Sequence, residues 1–367
     1  MNETLNSQNA PEASIRISRA SAVFLLACTV LWLYWPAFMA MADKWDRKPE
    51  YSHGWMIPLF AVFLLWQRRR MLTDTEVPLS RIGGGLLAAG VVTWICPWMF
   101  AASGSLGLIL GYAGIVMTLA GFSVLVSTWL EDVPLRPAWW GLAVIMGAVA
   151  MRLYSADVYL EWFDFLSLIP FIIGLVWLTG GRQVLAWSWV AIVFLFFMIP
   201  LPFSMEVALR DPLRRAGTLA STYVMQTIGL PAFAEGNVVT VNDVGIDVVE
   251  ACSGLRMMMV FFALSAGLAV VLDRPLWQRA LLLASALPIA LITNILRITS
   301  TGLLHVWGYH ELAENVFHDV AGLAMPIIAI GLLQLEMWYL DRLFIVDKKF
   351  PMQFGIGAIK PAEPSGT

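Results

Sequence analysis

The sequence has few charged residues and very little cysteine or histidine. Asp, Glu, Lys and Arg make up 13% of its 367 residues, whereas hydrophobic residues make up 59%. A soluble domain has about 25% charged and about 45–50% apolar residues, so this composition excludes an ordinary soluble enzyme. The net charge of −3 also argues against nucleic acid as a partner. The composition therefore predicts a protein folded in lipid, with membrane lipids as its surroundings.

Scarce cysteine and histidine limit the possible chemistry. Three cysteines cannot form a disulfide framework, and Cys28 and Cys96 lie in apolar runs where cysteine usually packs as a small hydrophobic residue. Among the four histidines there is no HExxH motif, paired-cysteine motif or dense His, Asp and Glu cluster. The GxSxG motif of serine hydrolases is also missing. We therefore predict neither a metal nor a cofactor.

Long hydrophobic runs dominate what is present. A helix needs about 20 apolar residues to cross a bilayer. The sequence predicts an all-α, polytopic transmembrane helical bundle of about ten spans, with residues 1–20 and 342–367 as cytoplasmic tails and 21–341 as one transmembrane domain. The predicted spans are 21–41, 53–67, 83–101, 105–127, 138–152, 162–179, 184–201, 254–272, 280–297 and 319–341.

The distribution of Lys and Arg predicts the orientation. With ten spans and the N-terminus inside, fourteen of the 23 Lys and Arg residues fall on the cytoplasmic side, most densely in WQRRR at residues 66–70. Loops on the cytoplasmic side of a membrane carry an excess of Lys and Arg, so this orientation is favoured. It places residues 202–253 outside.

Residues 202–253 form the long interruption of the hydrophobic pattern. Apolar residues alternate with Arg and Asp in 203–230, which predicts an interfacial amphipathic helix broken near Pro212. The β-branched run in 237–249 flanks Asn242 and Asp243, and this pattern predicts a β-hairpin. We expect a folded extracytoplasmic insertion that leads directly to Cys252.

Cys252 lies where the eighth predicted span begins, in the segment Glu250-Ala-Cys252-Ser-Gly-Leu-Arg256. A helix N-terminus carries about half a positive charge, and Arg256 one turn later adds to it, so both favour a nucleophilic thiolate. Glu250 opposes that effect if its carboxylate faces the sulfur. A small buried residue at a helix start is the alternative.

Two further candidates lie in the last two predicted spans. Arg297, with Asn294 three residues earlier on the same helical face, lies at the end of the ninth span. Arginine in hydrocarbon is costly, so Arg297 either snorkels to headgroups or serves a polar pocket. His318, followed by Asp319, begins the tenth span and suits general acid–base chemistry, although a lone interfacial histidine is often only hydrogen-bonded.

The predicted topology brings these candidates to one boundary. Cys252, Arg297 and His318 come from three different spans, yet all fall at the outer side of the membrane. A cysteine nucleophile, a histidine base and an arginine that stabilises an oxyanion form a minimal set for acyl transfer through a thioester.

Four segments resemble the motifs of the exosortase/archaeosortase family. They are Glu250-Ala-Cys252-Ser-Gly-Leu-Arg256, Asn294-Ile-Leu-Arg297, His318-Asp-Val-Ala-Gly322 and Tyr51-Ser-His53-Gly54-Trp-Met-Ile-Pro58. Each motif is short, but their order in a polytopic chain makes the joint match specific. The resemblance extends from about residue 20 to about residue 340.

The resemblance implies a membrane-embedded cysteine transpeptidase of the bacterial exosortase type. By position it implies Cys252 as nucleophile, Arg297 as transition-state stabiliser and His318 as proton shuttle, with Arg256, Asn294, Glu250 and Asp319 supporting them. The implied partners are secreted proteins with a tripartite C-terminal signal: a short motif such as Pro-Glu-Pro, a transmembrane helix and a basic cluster. The acceptor is unknown, and a polysaccharide or lipid-linked molecule is the expected class.

Two functions from other classes fit the residues as well. A transporter or flippase for exopolysaccharide export is compatible with ten spans and an intramembrane arginine, although transporters tend to place polar residues near the midplane of repeated halves. A noncatalytic scaffold for envelope assembly is the other alternative, and it predicts that Cys252→Ser is tolerated.

Overall fold

The structure is a computed structural model that describes residues 6–72, 81–99, 105–241, 244–247, 254–272, 274–309 and 317–343. Within these ranges the chain is mainly helical and contains one small sheet, which confirms the predicted all-α membrane fold with a small folded insertion. The α-helices are α1 (Asn6–Leu33), α2 (Trp35–Arg47), α3 (Ile57–Gln67), α4 (Arg81–Met99), α5 (Ser105–Trp129), α6 (Trp140–Val158), α7 (Glu161–Phe194), α8 (Phe203–Thr227), α9 (Gly254–Val271), α10 (Leu276–Val306) and α11 (Phe317–Leu343).

The sheet lies between α8 and α9 and has three antiparallel strands. They are β1 (Ala232–Glu235), β2 (Val238–Val241) and β3 (Val244–Asp247), in that order. Strands β2 and β3 pair with Val241 opposite Val244, as the hairpin prediction for 237–249 requires. The first strand was not predicted because its sequence, AFAE, contains no β-branched residue.

The predicted count of ten spans is not confirmed. In the described part of the chain, four helical stretches are long and apolar enough to cross a membrane: Gly107–Trp129, Trp140–Val158, Glu161–Met198 and Leu276–Val306. A fifth arises if Arg19–Leu33 and Trp35–Arg47, which meet at an angle of 70°, form one broken span. Helix α3 has 11 residues, about half the length that a span needs.

Two long helices are interrupted at residues with special backbone requirements. The predicted span 21–41 bends by 70° near Tyr34 because Pro36, the second residue of α2, has no N–H to continue the hydrogen bonds of α1. Helix α7 covers the predicted span 162–179 and the first part of 184–201, up to Phe194, and is interrupted at Gly181, whose φ is 77°. A side chain at Gly181 would overlap the carbonyl of Arg136, so glycine is required there.

The predicted break in α8 near Pro212 is wrong, because the helix is continuous from Phe203 to Thr227. Pro212 cannot donate a hydrogen bond to the carbonyl of Ala208, four residues earlier. Both residues are exposed, so the freed carbonyl can be solvated without ending the helix. The opposite face of α8 is buried at Gly217, Thr218 and Ser221.

The chain packs as two compact units, and the first comprises Met1–Asp43 and Met56–Ile199. Arg152 of α6 holds three of its helices together. Its Nη1 donates to the carbonyl of Leu33 at 2.7 Å, and its Nε lies 3.0 Å from Oδ1 of Asp164. The guanidinium also lies over the ring of Tyr34, 4.6 Å from the centroid. This arginine therefore fastens the bend after α1 to α6 and α7.

The second unit comprises Lys44–Trp55 and Pro200–Thr367. Its main core joins α9, α10 and α11 through Phe261, Leu282, Ala286 and Leu333, all nearly inaccessible. A smaller core joins the sheet to α8 and α10 and consists of Met225, Ala232, Val239, Val241 and Ile298. All the site residues predicted from the sequence belong to this unit.

Candidate functional site

Arg297 lies within α10 and not at its end as predicted. The helix continues nine residues further, to Val306. The polar run after Arg297 remains helical, and Oγ1 of Thr301 donates to the carbonyl of Arg297 at 3.0 Å within the helix. The helix ends just before Gly308, whose φ of 82° is typical of a C-terminal cap.

The side chain of Arg297 is buried. Only 8% of the residue is exposed, so most of the side chain packs inside the protein and is not spread along the lipid-facing surface. In the described ranges no carboxylate or carbonyl pairs with it. An unpaired buried cation is costly, so Arg297 requires an anion or a developing negative charge from a ligand or from residues outside those ranges.

Asn294 lies one turn before Arg297 and is also buried, with 3% exposed. Its Oδ1 has no hydrogen-bond partner among the described residues. Helix α8 approaches it closely: a Cβ atom on Gly217 would lie 3.1 Å from Nδ2 of Asn294. The backbone of α8 therefore forms one wall beside the amide.

Helices α9 and α10 form an antiparallel hairpin that sets the depth of the site. The turn between them lies between Val271 and Leu276. Both α-helices rise by the same distance per residue, so residues equally far from the turn lie at the same level. By this count Gly254, the first residue of α9, lies at the level of Thr293 in α10. Cys252 precedes Gly254 by two positions. The chain thus enters α9 at the level of Asn294 and Arg297.

The sheet also packs near the turn of α10 that contains Arg297. Val239 and Val241 pack in one core cluster with Ile298, the residue after Arg297. Cys252 and Glu250 lie outside the described residues, between β3 and α9. Arg256 lies in the first turn of α9, but its side chain is not described. The sheet before Cys252 and helix α9 after it therefore both share a core with residues of α10.

Helix α11 begins with Phe317, His318 and Asp319, whose side chains are not described. Its other end is held by a two-pronged pair between Arg274 and Asp341, with Nη2 to Oδ2 at 2.8 Å. Because Arg274 belongs to the α9–α10 turn, α11 runs antiparallel to α10. The first turn of α11 consequently lies toward the end of the unit that carries Arg297.

In the part of the chain that the structure describes, no three His, Cys, Asp or Glu side chains come together as a metal site would need. Among the predicted site residues whose side chains are described, α10 contributes a guanidinium, from Arg297, and an amide, from Asn294. Such a pair can bind a polar group of a substrate and stabilise negative charge.

Comparison with protein families gives one match. The model of the transmembrane exosortase family matches residues 45–133 and 126–335, which together cover most of the chain. The chain belongs to the transmembrane exosortase family. Comparisons with curated proteins and with solved structures found no match.

Exosortases are membrane transpeptidases, generally of the cysteine type, that act on the sorting signals of secreted proteins. The two matched segments include the Tyr51–Pro58 motif as well as Cys252, Arg297 and His318. Family membership and the apolar helices together make this exosortase a multi-pass membrane protein.

Glu206 is a buried carboxylate of this exosortase that sequence reasoning missed. It is only 2% exposed and accepts hydrogen bonds from Tyr51 Oη at 3.2 Å and Lys48 Nζ at 3.1 Å. Arg210 lies 3.6 Å away, one turn along α8. Burial, and then the neighbouring carboxylate, raise the pKa of the Tyr51 hydroxyl, which keeps it a donor. The cluster fastens the Lys44–Trp55 segment to α8.

The sequence feature that could have pointed to Glu206 is its position in the first turn of α8, four residues before Arg210. Such i, i+4 pairs are common on exposed helices and do not by themselves indicate burial. The partner that distinguishes Glu206 is Tyr51, which is distant in sequence.

Proposed function

We propose that this exosortase is a cysteine transpeptidase that cleaves C-terminal sorting signals through a thioester on Cys252. The observation that supports this best is Arg297, a buried arginine that has no acidic partner among the described residues and lies near the level at which α9 begins. A buried cation next to a nucleophile can stabilise the oxyanion of a tetrahedral intermediate.

The proposed reaction has two steps with the same residues. The Cys252 thiolate attacks the substrate's scissile carbonyl carbon, a C–S bond forms, and Arg297 holds the resulting oxyanion. The C–N bond then breaks, and protonated His318 gives its proton to the leaving amine. An acceptor nucleophile or water next attacks the thioester, gives its proton to His318 and releases the thiolate.

The proposed substrates are secreted proteins whose C-terminus carries a short motif such as Pro-Glu-Pro, a transmembrane helix and a basic cluster. The acceptor is an envelope or exopolysaccharide component. We place residues 21–341 in the inner membrane and the site at its outer boundary, where a substrate's own helix can lie in the same bilayer. Arg256, Asn294, Glu250 and Asp319 are proposed to support the three reacting residues.

The test follows C-terminal processing of a tagged secreted protein in cells. We expect Cys252→Ala to abolish processing, whereas the matched variant Cys96→Ala, in an apolar run, leaves it unchanged. Arg297→Lys should lower the rate by about 10²–10³-fold, since an ammonium cannot reproduce the planar guanidinium donors. Normal processing by Cys252→Ala would refute the nucleophile assignment.

The same variants separate the alternatives. If Arg297→Gln left processing intact and abolished polysaccharide export, a transporter or flippase would be favoured. If Cys252→Ser had no effect and a thiol-reactive activity probe failed to label Cys252, a scaffold would be favoured.

A further inference from the structure

Two buried polar atoms of α10 near Arg297, Oδ1 of Asn294 and Oγ1 of Thr299, have no hydrogen-bond partner among the described residues. Other hydroxyls of this part of α10 bond within the helix. The hydroxyl of Thr293 donates to the carbonyl of Ile289 at 2.7 Å, and that of Thr301 donates to the carbonyl of Arg297 at 3.0 Å. Oδ1 of Asn294 is buried and accepts no hydrogen bond from the described residues. An unpaired buried acceptor costs free energy that an incoming N–H donor would recover.

Asn294 and Arg297 offer complementary hydrogen-bonding groups. They are three residues apart, so their side chains emerge from the same face of α10. Arginine only donates hydrogen bonds, whereas the Asn294 Oδ1 only accepts them. An anion cannot satisfy Oδ1. A peptide group can satisfy both residues, because one residue in an extended chain presents its C=O and its own N–H along the same edge.

We infer that Asn294 binds the substrate's main chain by accepting a hydrogen bond from the N–H of the residue that supplies the scissile carbonyl. This inference rests on the proposed function, in which Arg297 faces that carbonyl's oxygen. The pair then holds one substrate residue by both of its backbone groups. A proline at that substrate position has no N–H and is disfavoured.

Gly217 maintains the position of the Asn294 amide. A Cβ on Gly217 would lie 3.1 Å from Nδ2, closer than side chains usually pack, so any larger residue there displaces the amide. Gly331 in α11 provides a matched control because a Cβ added there meets nothing within 4 Å.

The experiment uses the full chain reconstituted in lipid nanodiscs and two semisynthetic substrates. The substrates differ at one atom: the backbone N–H of the residue that supplies the scissile carbonyl is replaced by an ester oxygen. The cleavage position is first established by sequencing the processed product. For the wild-type protein we expect the ester substrate to have a kcat/KM about tenfold lower.

If Asn294 accepts this hydrogen bond, the difference in kcat/KM between the amide and ester substrates should disappear in Asn294→Ala. Asn294→Ala should process the amide substrate about tenfold more slowly than wild type and process both substrates at equal rates. Gly217→Ala should reduce the ester penalty, and Gly331→Ala should keep it. A full penalty in both Asn294→Ala and Gly217→Ala overturns the inference. Failure of the wild-type protein to process either substrate would instead contradict the proposed function.

Discussion

Glu206 and Arg297 are both buried charged residues, but their surroundings differ. The carboxylate of Glu206 accepts hydrogen bonds from Tyr51 and Lys48, and Arg210 lies 3.6 Å from it. Arg297 has no partner in the described ranges, and the amide oxygen one turn before it is also unpaired. A satisfied charge stabilises a fold, whereas an unsatisfied pair is typical of a site that awaits a ligand. We therefore expect Glu206 to serve the fold, and this contrast supports the proposed chemical role of Arg297.

The pH dependence of stability tests the assignment of Glu206 and Tyr51. Because burial raises the pKa of Tyr51 above its ordinary value of about 10, the neutral hydroxyl favours the folded state. Its contribution is fully present below pH of about 10 and is lost as the pH rises toward the higher folded pKa. We expect Tyr51→Phe to lower the free energy of unfolding by about 0.5–1.5 kcal/mol at neutral pH.

Unfolding of the detergent-solubilised protein at several pH values provides the measurement. The difference between wild type and Tyr51→Phe should shrink above pH of about 10. Tyr223→Phe, on the exposed face of α8, is the control and should match wild type throughout. A Tyr51→Phe difference that stays constant up to pH of about 12 would contradict the role of the buried hydroxyl.

At the scale of elements, the sheet and the α9–α10 hairpin position the site together. The alternate residues Val239 and Val241 of β2 are buried in the core cluster that includes Ile298, while Val238 and Thr240 are half-buried. The strands lead into the segment with Cys252, and α9 follows it. The packing of the sheet on α10 should therefore control how well Cys252 and Arg297 are aligned.

Val239→Ala tests this coupling. The side chain is fully buried, so its truncation should destabilise the sheet by about 1–3 kcal/mol and speed amide hydrogen exchange in β2. The rate of substrate processing should fall as the sheet is destabilised, while amide hydrogen exchange in the core of α9, α10 and α11 should remain slow. Thr240→Ala, on the other face, should change neither quantity. Unchanged processing despite faster exchange would show that the sheet does not align the site.

Sequence patterns predicted helices and strands correctly where neighbouring residues alone determine the backbone conformation. The hairpin of β2 and β3 was predictable because β-branched residues flank a turn sequence. The continuity of α8 through Pro212 was not, because it depends on whether the freed carbonyl of Ala208 is exposed. The extent of α10 beyond Arg297 was not predictable either, because the residues that follow Arg297 are polar but are largely buried in the fold.

At the scale of the whole molecule, the distribution of cations predicts which side of the membrane carries the site. WQRRR at residues 66–70 is expected inside, and the sheet is expected outside. Arg210, one of the cations expected on the outer side, is paired with Glu206 and Asp211, so its charge is balanced.

Cysteine labelling in intact cells tests the orientation. In a background with Cys28, Cys96 and Cys252 each replaced by Ser, we expect Gly236→Cys, at the exposed β1–β2 turn, to react with a membrane-impermeant maleimide. Arg70→Cys, also exposed, should react only after the inner membrane is permeabilised. The reverse pattern would place the site in the cytoplasm and contradict the proposed function.

The sequence by itself determined that the protein folds in lipid, where most of its helices lie, and which residues are candidates for chemistry. These follow from composition, from the length of apolar runs and from scarce polar residues within them, all of which are local properties of the chain. Only the tertiary structure decided which buried polar groups have partners. Glu206 meets Tyr51 from 155 residues away, and Asn294 lies against Gly217 of another helix. Whether a buried charge has a partner depends on contacts between residues that are distant in sequence. The difference between Glu206 and Arg297 is therefore visible only in the folded structure.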